Sequence, residues 1–356
     1  MTLRYIGSKT RLVDGLAPFI GQYSGKGRFV DAFCGMGSVA AQASQLGWPV
    51  LLNDHLSYAA VMSSARLTGR NQVPFAELGG YTSAIERLNE LDGRRGFIWS
   101  EYSPASLQHS RAGIERRYFT EANAARIDSC RSQIFDWSKA GLLNPSEERV
   151  LLADLLSAAN RVANIAGTYG CFLSRWTAQS QGSLLLRPRD LVDEGMPVDI
   201  SVGDVMDVSI TPDDTVYLDP PYTKRQYASY YHLLETIVHG DAPVVEGVSG
   251  LRPWQHLASD FCYKRKALGA LVGLIRGVDA RRVLLSYSSE GHVDLDELTE
   301  RLVDTGVVNV EPLASIGRYR PNQKASDNAS KVSEYLVVIE PKSVASLPRM
   351  SATARK

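Results

Sequence analysis

Residues 29 to 54 constrain the fold more than any other part of the chain. Phe29-Val30-Asp31 is a short apolar run ending in an acid, Cys34-Gly35-Met36-Gly37 follows it, and Ser38-Val39-Ala40 opens a helical pattern. Strand, glycine turn and helix start in that order let backbone approach a nucleotide-like ligand, because glycine has no Cβ and tolerates the positive φ of a tight turn. Pro49-Val50-Leu51-Leu52-Asn53-Asp54 then reads as a second strand whose terminal carboxylate suits a ribose diol. Gly35-x-Gly37-x-x-Ala40 also satisfies the looser dinucleotide fingerprint. On this stretch alone a nicotinamide enzyme stays open, as does a glycine turn that only packs a helix on a strand.

A second motif narrows the chemistry. The apolar run Thr215-Val216-Tyr217-Leu218 predicts a buried strand, and Asp219-Pro220-Pro221-Tyr222 follows at its carboxyl end, where open α/β sheets carry their sites. This tetrad suits a planar amine. The exocyclic nitrogen of a nucleobase is a poor nucleophile because its lone pair is delocalised into the ring. Two acceptors, the Asp219 carboxylate and the Pro220 carbonyl, would take its N–H groups and draw it toward tetrahedral geometry. Pro221 stiffens the loop, and Tyr222 offers a face on which an extruded base stacks. Asp219 would act ionised, as an acceptor and electrostatic stabiliser. The plainer reading is a Pro-Pro pair that ends a strand among ordinary turn formers.

Taken with Arg4-Tyr5-Ile6-Gly7-Ser8-Lys9, these blocks resemble the Dam-type N6-adenine DNA methyltransferases, in the branch associated with type II restriction-modification systems. The resemblance implies an α/β fold: a Rossmann-like S-adenosylmethionine-dependent methyltransferase sheet with an inserted target-recognition domain. It implies Asp219, Pro220, Pro221 and Tyr222 as the catalytic tetrad. For S-adenosylmethionine it implies Tyr5, Lys9, Asp31, Phe33, Gly35, Gly37, Asp54, Asp204, Val205 and Asp219. Lys9 would meet the cofactor's carboxylate and Asp54 its ribose, with Asp204 and Val205 of Gly203-Asp204-Val205 at its adenine. Tyr5 stands where relatives often have tryptophan. Ser286 to Gly291, at the end of a later strand, belongs to the same pattern. The implied partner is double-stranded DNA, with a separately encoded restriction endonuclease and neither metal nor membrane. Methylation of the cytosine amino group uses a similar tetrad and is the nearest alternative. A catalytically inactive DNA-recognition module is the alternative from another class.

Composition fits a large core, with 44% apolar residues in 356, and no stretch has the uninterrupted apolar length of a membrane span. With no secretory pattern at the first residues, the expectation is a cytoplasmic enzyme. Cys34, Cys130, Cys171 and Cys262 are too scattered for a metal knuckle and read mostly as small buried hydrophobes. The strand-like runs divide the chain into a first catalytic part over 1–55, an inserted helical target-recognition region over 56–196, a second catalytic part over 197–340 and a flexible tail over 341–356. Alternating strands and helices imply a parallel sheet, closed by two strands at Gly306–Leu313 and Glu334–Glu340 that flank a basic loop over 317–330.

Net charge is zero, from 39 basic and 39 acidic residues, so any nucleic-acid surface must be local. Candidate DNA contacts are Arg175, then Lys224, Arg225, Gln226 and Tyr227 just past the tetrad, and Arg318 and Arg320 in the basic loop. Arg111, Arg116, Arg117, Arg126 and Arg131 enrich another stretch, Arg187 and Arg189 a further one, and Lys264-Arg265-Lys266 a third. Such runs are as often solvated faces as phosphate sites. The turn Asn164 to Leu173 is either a support near the extruded base or a buried structural turn. The run Val150 to Ala163 has the spacing of a core helix, and His232, alone, is not assigned a catalytic role.

Overall fold

The computed structural model describes residues 9 to 316 and 332 to 342. Tyr5, Arg318 and Arg320, the loop over 317–330 and the tail beyond residue 342 lie outside the described residues.

Seven strands form one sheet in the order β3-β2-β1-β4-β5-β7-β6. They are β1 (Phe29–Asp31), β2 (Val50–Asp54), β3 (Val198–Val202), β4 (Thr215–Leu218), β5 (Arg282–Ser288), β6 (Gly306–Ile316) and β7 (Val332–Pro341). All residues of β1 and β4 are buried, as a strand flanked on both sides and covered on both faces requires. The first five strands pair in parallel. The two closing strands form the hairpin that the sequence suggests, and β7 runs antiparallel to both β5 and β6. The physical reason is the hairpin: β6 and β7 fold back on each other, and β7 enters the gap that β5 and β6 leave between them. Pro312 marks a register shift in β6, on the sheet edge, where proline is tolerated.

Strand order reverses between β1, which leads outward to β2 and β3, and β4, which leads the other way. A crevice must open there at the carboxyl ends of the strands. The register sets Asp31 of β1 beside Leu52 of β2 and Tyr217 of β4. The glycine turn, Asp54 and Asp219 therefore emerge around one opening.

The residues between β2 and β3 are mainly helical. Helix Pro145–Val162 starts where its sequence dictates: the Asn144 side chain accepts from the Ser146 and Glu147 N–H groups, the Glu147 carboxylate accepts from the Asn144 N–H, and Pro145 fills the first turn. Such a cap is worth about 1 kcal/mol. Nearly its whole surface is buried, as the spacing of its apolar residues predicts. Helix Glu121–Lys139 is capped by Thr120 and packs against it. Helix Ser57–Leu67 touches β2, β3 and Pro145–Val162, so the apolar cluster around it runs from Met36 through the insertion to Ile237. This helical cluster holds no strand residue, and the same helix reaches the sheet's own core through Leu67, which packs with Val50 and Leu52. Among the described residues, no helix is long and apolar enough to cross a membrane.

Candidate active site

A cavity of about 540 Å³ opens at the reversal of strand order, lined by the β1 turn, the end of β2, Gly203 to Met206, the tetrad and the segment Leu257 to Phe261. Gly35 has φ +47, and its N–H donates to Asp54 Oδ2 at 3.0 Å, while Asp54 Oδ1 accepts from the Leu56 N–H at 3.0 Å. The carboxylate expected at a ribose thus also braces the glycine turn. Burial raises its pKa to about 6 despite these backbone donors. Gly37 has a different duty. At φ +68, a Cβ here would lie 2.8 Å from Ser63 Cβ, and the residue does not reach the cavity wall. Its glycine is required by the close approach of helix Ser57–Leu67.

Asp31 is buried, and one carboxylate oxygen, Oδ1, has no hydrogen-bond partner. Asn53 Oδ1 is likewise unpartnered, while its amide donates to the Ala32 carbonyl. Burial, then the nearby Asp219 and Asp54, push the Asp31 carboxyl up to about 8. Phe33 lies edge-on to Phe261 with ring centroids 5.7 Å apart. Asp204 caps the turn Val205–Asp207 by accepting from the Met206 N–H, and with Val205 it lines the cavity.

Lys9 is 6% exposed, and its ammonium lies 3.3 Å from Asp219 Oδ1 and 3.2 Å from Glu334 Oε2 on β7. It also sits 5.3 Å from the centre of the Tyr222 ring. Burial opposes its charge, but Asp219, the tyrosines Tyr222 and Tyr217, and Glu334 outweigh that and raise its pKa. Its ammonium, at the cavity wall, is engaged by two acids of the protein. Asp219 titrates near 6: burial and Glu334 raise it, and Lys9 holds it down. Near neutral pH it is therefore mostly ionised.

The tetrad is clamped from the far side. The Tyr222 carbonyl accepts from the His292 N–H at 2.9 Å, and its ring meets Tyr287 edge-on at 5.6 Å. The Tyr287 hydroxyl accepts from the Val293 N–H, and a Cβ on Gly291 would collide with the Tyr287 ring at 2.4 Å. The segment Ser286 to Gly291 therefore supports Tyr222.

The basic and polar candidates separate by what they touch. Arg175, Lys224 and Arg225 are exposed. Tyr227 lines the cavity and stacks on Tyr231. Gln226, expected to meet DNA, commits its amide to the chain: Oε1 accepts from the Ser259 N–H at 3.0 Å and Nε2 donates to the Ser259 carbonyl at 3.3 Å. It holds the Phe261 segment against the cavity. Arg116 is fully buried, paired with Glu101 and donating to the Gly247 and Val248 carbonyls. Arg126 donates to the Leu91 and Asn89 carbonyls, and Arg131 to those of Ile237 and Val238. These three are internal struts, not a phosphate-binding face. Arg117 pairs with Glu115, Arg189 with Asp154, and Lys266 with Asp260.

The Asn164 turn belongs to the core. Asn164 is fully buried, donates to the Leu173 carbonyl and accepts from the Thr177 N–H and the Ser180 hydroxyl. The Tyr169 carbonyl receives the Tyr118 hydroxyl and faces His232 Nε2 at 2.9 Å. Burial lowers the His232 pKa to about 4, so that ring is a neutral packing element. Cys34, Cys130 and Cys262 are buried and Cys171 is exposed. Among the described residues, no group of His, Cys, Asp and Glu is placed to hold a metal ion.

A mostly parallel sheet with a nucleotide-sized cavity at its reversal point and an acid-Pro-Pro-aromatic tetrad in the wall defines a Rossmann-like methyltransferase. The chain belongs to the D12 class N6 adenine-specific DNA methyltransferase family, whose model matches residues 5 to 301. It is 32% identical to the type II methyltransferase M.FokI of Planomicrobium okeanokoites over 341 residues, covering 95% of this chain and 52% of that protein. It is 30% identical over 349 residues to the type II methyltransferase M.NlaIII of Neisseria lactamica, covering 95% of this chain and 99% of the relative. The modification methylase StsI of Streptococcus sanguinis is 32% identical over 340 residues, with 50% of its length covered. The chain thus spans about half the length of M.FokI and StsI and nearly all of M.NlaIII.

Proposed function

We propose that this chain transfers a methyl group from S-adenosylmethionine to the exocyclic amino group of adenine in double-stranded DNA, within a type II restriction-modification system that includes a separate endonuclease. The observation that carries this reading is the position of Asp219. It stands in the wall of the cavity shared with the glycine turn and Asp54, with Lys9 holding its charge.

The residues present fit the cofactor. The orphaned acceptors Asp31 Oδ1 and Asn53 Oδ1 suit a ligand rich in N–H and O–H donors, and the cavity has the size of a nucleoside site. Asp54 would take the ribose hydroxyls, Asp204 and Val205 the adenine edge, and Phe33 with Phe261 its ring. The bound cofactor supplies an electrophilic methyl group on a positively charged sulfur. Asp219 and the Pro220 carbonyl accept the N–H groups of the target amine and turn its lone pair out of the base plane. Tyr222 stacks the extruded base, and the tyrosines around it keep bulk water from the reacting nitrogen. The exposed Arg175, Lys224 and Arg225 contact phosphates, and the helical layer contributes to target choice.

The test is incubation of the purified protein with labelled S-adenosylmethionine and a random-sequence DNA library, followed by mapping of modified positions. Methyl groups on adenine N6 within one short motif are expected. Label on cytosine N4 would move the reading to the cytosine alternative, and tight cofactor binding without transfer would leave a recognition module.

A further inference from the structure

The carboxylate that shares Lys9 with Asp219 has no place in the reaction as derived so far. Glu334 comes from β7, where it pairs in register with Ser288 at the end of β5, and its side chain is 10% exposed. A carboxylate so shielded requires a partner, and it has the same ammonium that the tetrad's acid uses, at nearly the same distance, 3.2 against 3.3 Å.

We propose that Glu334 is a positioning residue for methyl transfer: by drawing Lys9 partly to itself, it leaves the Asp219 carboxylate more basic, and so a stronger acceptor for the amine. The proposal rests on the functional reading above. A buried ammonium facing a single carboxylate lowers that carboxylate's basicity, and a less basic oxygen is a weaker acceptor. An ammonium between two carboxylates leaves the cluster with a net negative charge. Three N–H donors reach both acids, and the Tyr222 ring lies on the third side. Lys9 then fixes where the Asp219 oxygens point without extinguishing their charge.

The groups facing Asp219 come from each element around it. They are Lys9 from the turn Lys9–Arg11, Asp31 from β1, Tyr217 from β4, Tyr222 and Tyr227 from the chain after the tetrad, and Glu334 from β7. Burial holds the three tyrosines neutral, and Asp31 titrates higher, near 8. In the range where Asp219 titrates, Lys9 and Glu334 are thus the charges acting on it from this set. Removing one should move its titration opposite to removing the other. A purely structural tie between β7 and the Lys9 turn carries no such sign.

The experiment follows the Asp219 carboxyl directly by carbon-13 NMR titration of the intact chain without DNA, the signal assigned by its loss in Asp219→Asn. Glu334→Gln should lower the Asp219 titration and Lys9→Met should raise it, each by about one unit or more. In turnover assays Glu334→Gln should lower the kcat plateau about tenfold, while KM for DNA and cofactor changes less than about twofold, as expected when an interaction made only in the transition state is lost. Glu334→Asp should recover most of the plateau. An unmoved Asp219 titration in Glu334→Gln, or a full plateau, overturns the proposal. Should Glu334→Gln fail to fold, Glu334→Asp must keep the titration within about half a unit of wild type while Lys9→Met raises it, and failure of either overturns it. Absence of adenine methylation by the wild-type protein would instead overturn the functional reading, and the titrations would still report on the charge sharing.

Discussion

Gly37→Ala tests whether the second glycine of the turn serves packing. Two costs follow from its geometry. At φ +68 a residue with a Cβ sits in the left-handed region, at about 1 to 2 kcal/mol. The new Cβ would also lie 2.8 Å from Ser63 Cβ and 2.9 Å from Ser63 Cα, so a buried helix must shift, at about 1 to 3 kcal/mol. The sum, about 2 to 5 kcal/mol, is large against the marginal stability of a folded chain. Ser63 cannot swing away, because its hydroxyl donates to the Ala59 carbonyl at 2.8 Å and lies 3.1 Å from Cys34 Sγ. Urea unfolding of wild type, Gly37→Ala, Ser63→Gly and the double mutant separates the two costs. The double mutant should be more stable than the sum of the single losses by at least about 0.5 kcal/mol, because the steric part is relieved and the backbone part is not. Strict additivity, or a Gly37→Ala loss below about 0.5 kcal/mol, would refute the reasoning. So would a cofactor affinity that collapses while stability is untouched.

Asp219→Asn should lower turnover by about a hundredfold or more while cofactor affinity stays within a few fold, read by single-turnover methylation beside calorimetry. The Asp31 carboxyl, at about 8 in the fold against 3.8 in the free state, favours its uncharged form. Its contribution to stability is full below about pH 4 and is lost as pH rises toward 8, so Asp31→Asn should flatten the decline of Tm over that window in thermal scans without ligand. Gln226→Ala cuts both amide bonds to Ser259, and calorimetry should show weaker cofactor binding with little change in Tm. Arg131→Met strips the bonds to the Ile237 and Val238 carbonyls and should cost about 1 to 3 kcal/mol of stability with target choice unchanged, whereas Arg175→Ala should leave Tm alone and weaken DNA binding in salt titrations.

The strands at Phe29, Val50, Thr215 and Arg282 were legible because buried parallel strands leave uninterrupted apolar runs bounded by turn residues. The glycine turn and the tetrad were legible because their chemistry is concentrated in a few consecutive residues. Glu334 was not. It sits beside Ser333 at the start of β7, ahead of the apolar run Leu336 to Ile339, where it reads as a polar strand end, and its partner lies 325 residues away. Phe261 and Ser259 lie in a stretch without helical or strand periodicity, so nothing local ties them to Phe33 and Gln226. The arginines failed for another reason. A guanidinium that satisfies backbone carbonyls inside a helical layer has the same local sequence as one that awaits a phosphate. Arg116, Arg126 and Arg131 are told from Arg175 only by what surrounds them.

The ion pair between Lys9 and Glu334 also dictates when the site becomes complete. β7 can take its place beside β5 only after nearly every other strand has been made, because it fills the gap between β5 and a strand that precedes it directly in the chain. A nascent chain that has just passed β5 already carries the glycine turn, Asp54 and Asp219, but β5 still has an open edge and Lys9 only one acid to bind. Contacts this distant in sequence form late, since the intervening loop must be closed before they repay its entropy. The charge arrangement around Asp219 is therefore completed later in folding than the glycine turn, Asp54 and the tetrad that it serves.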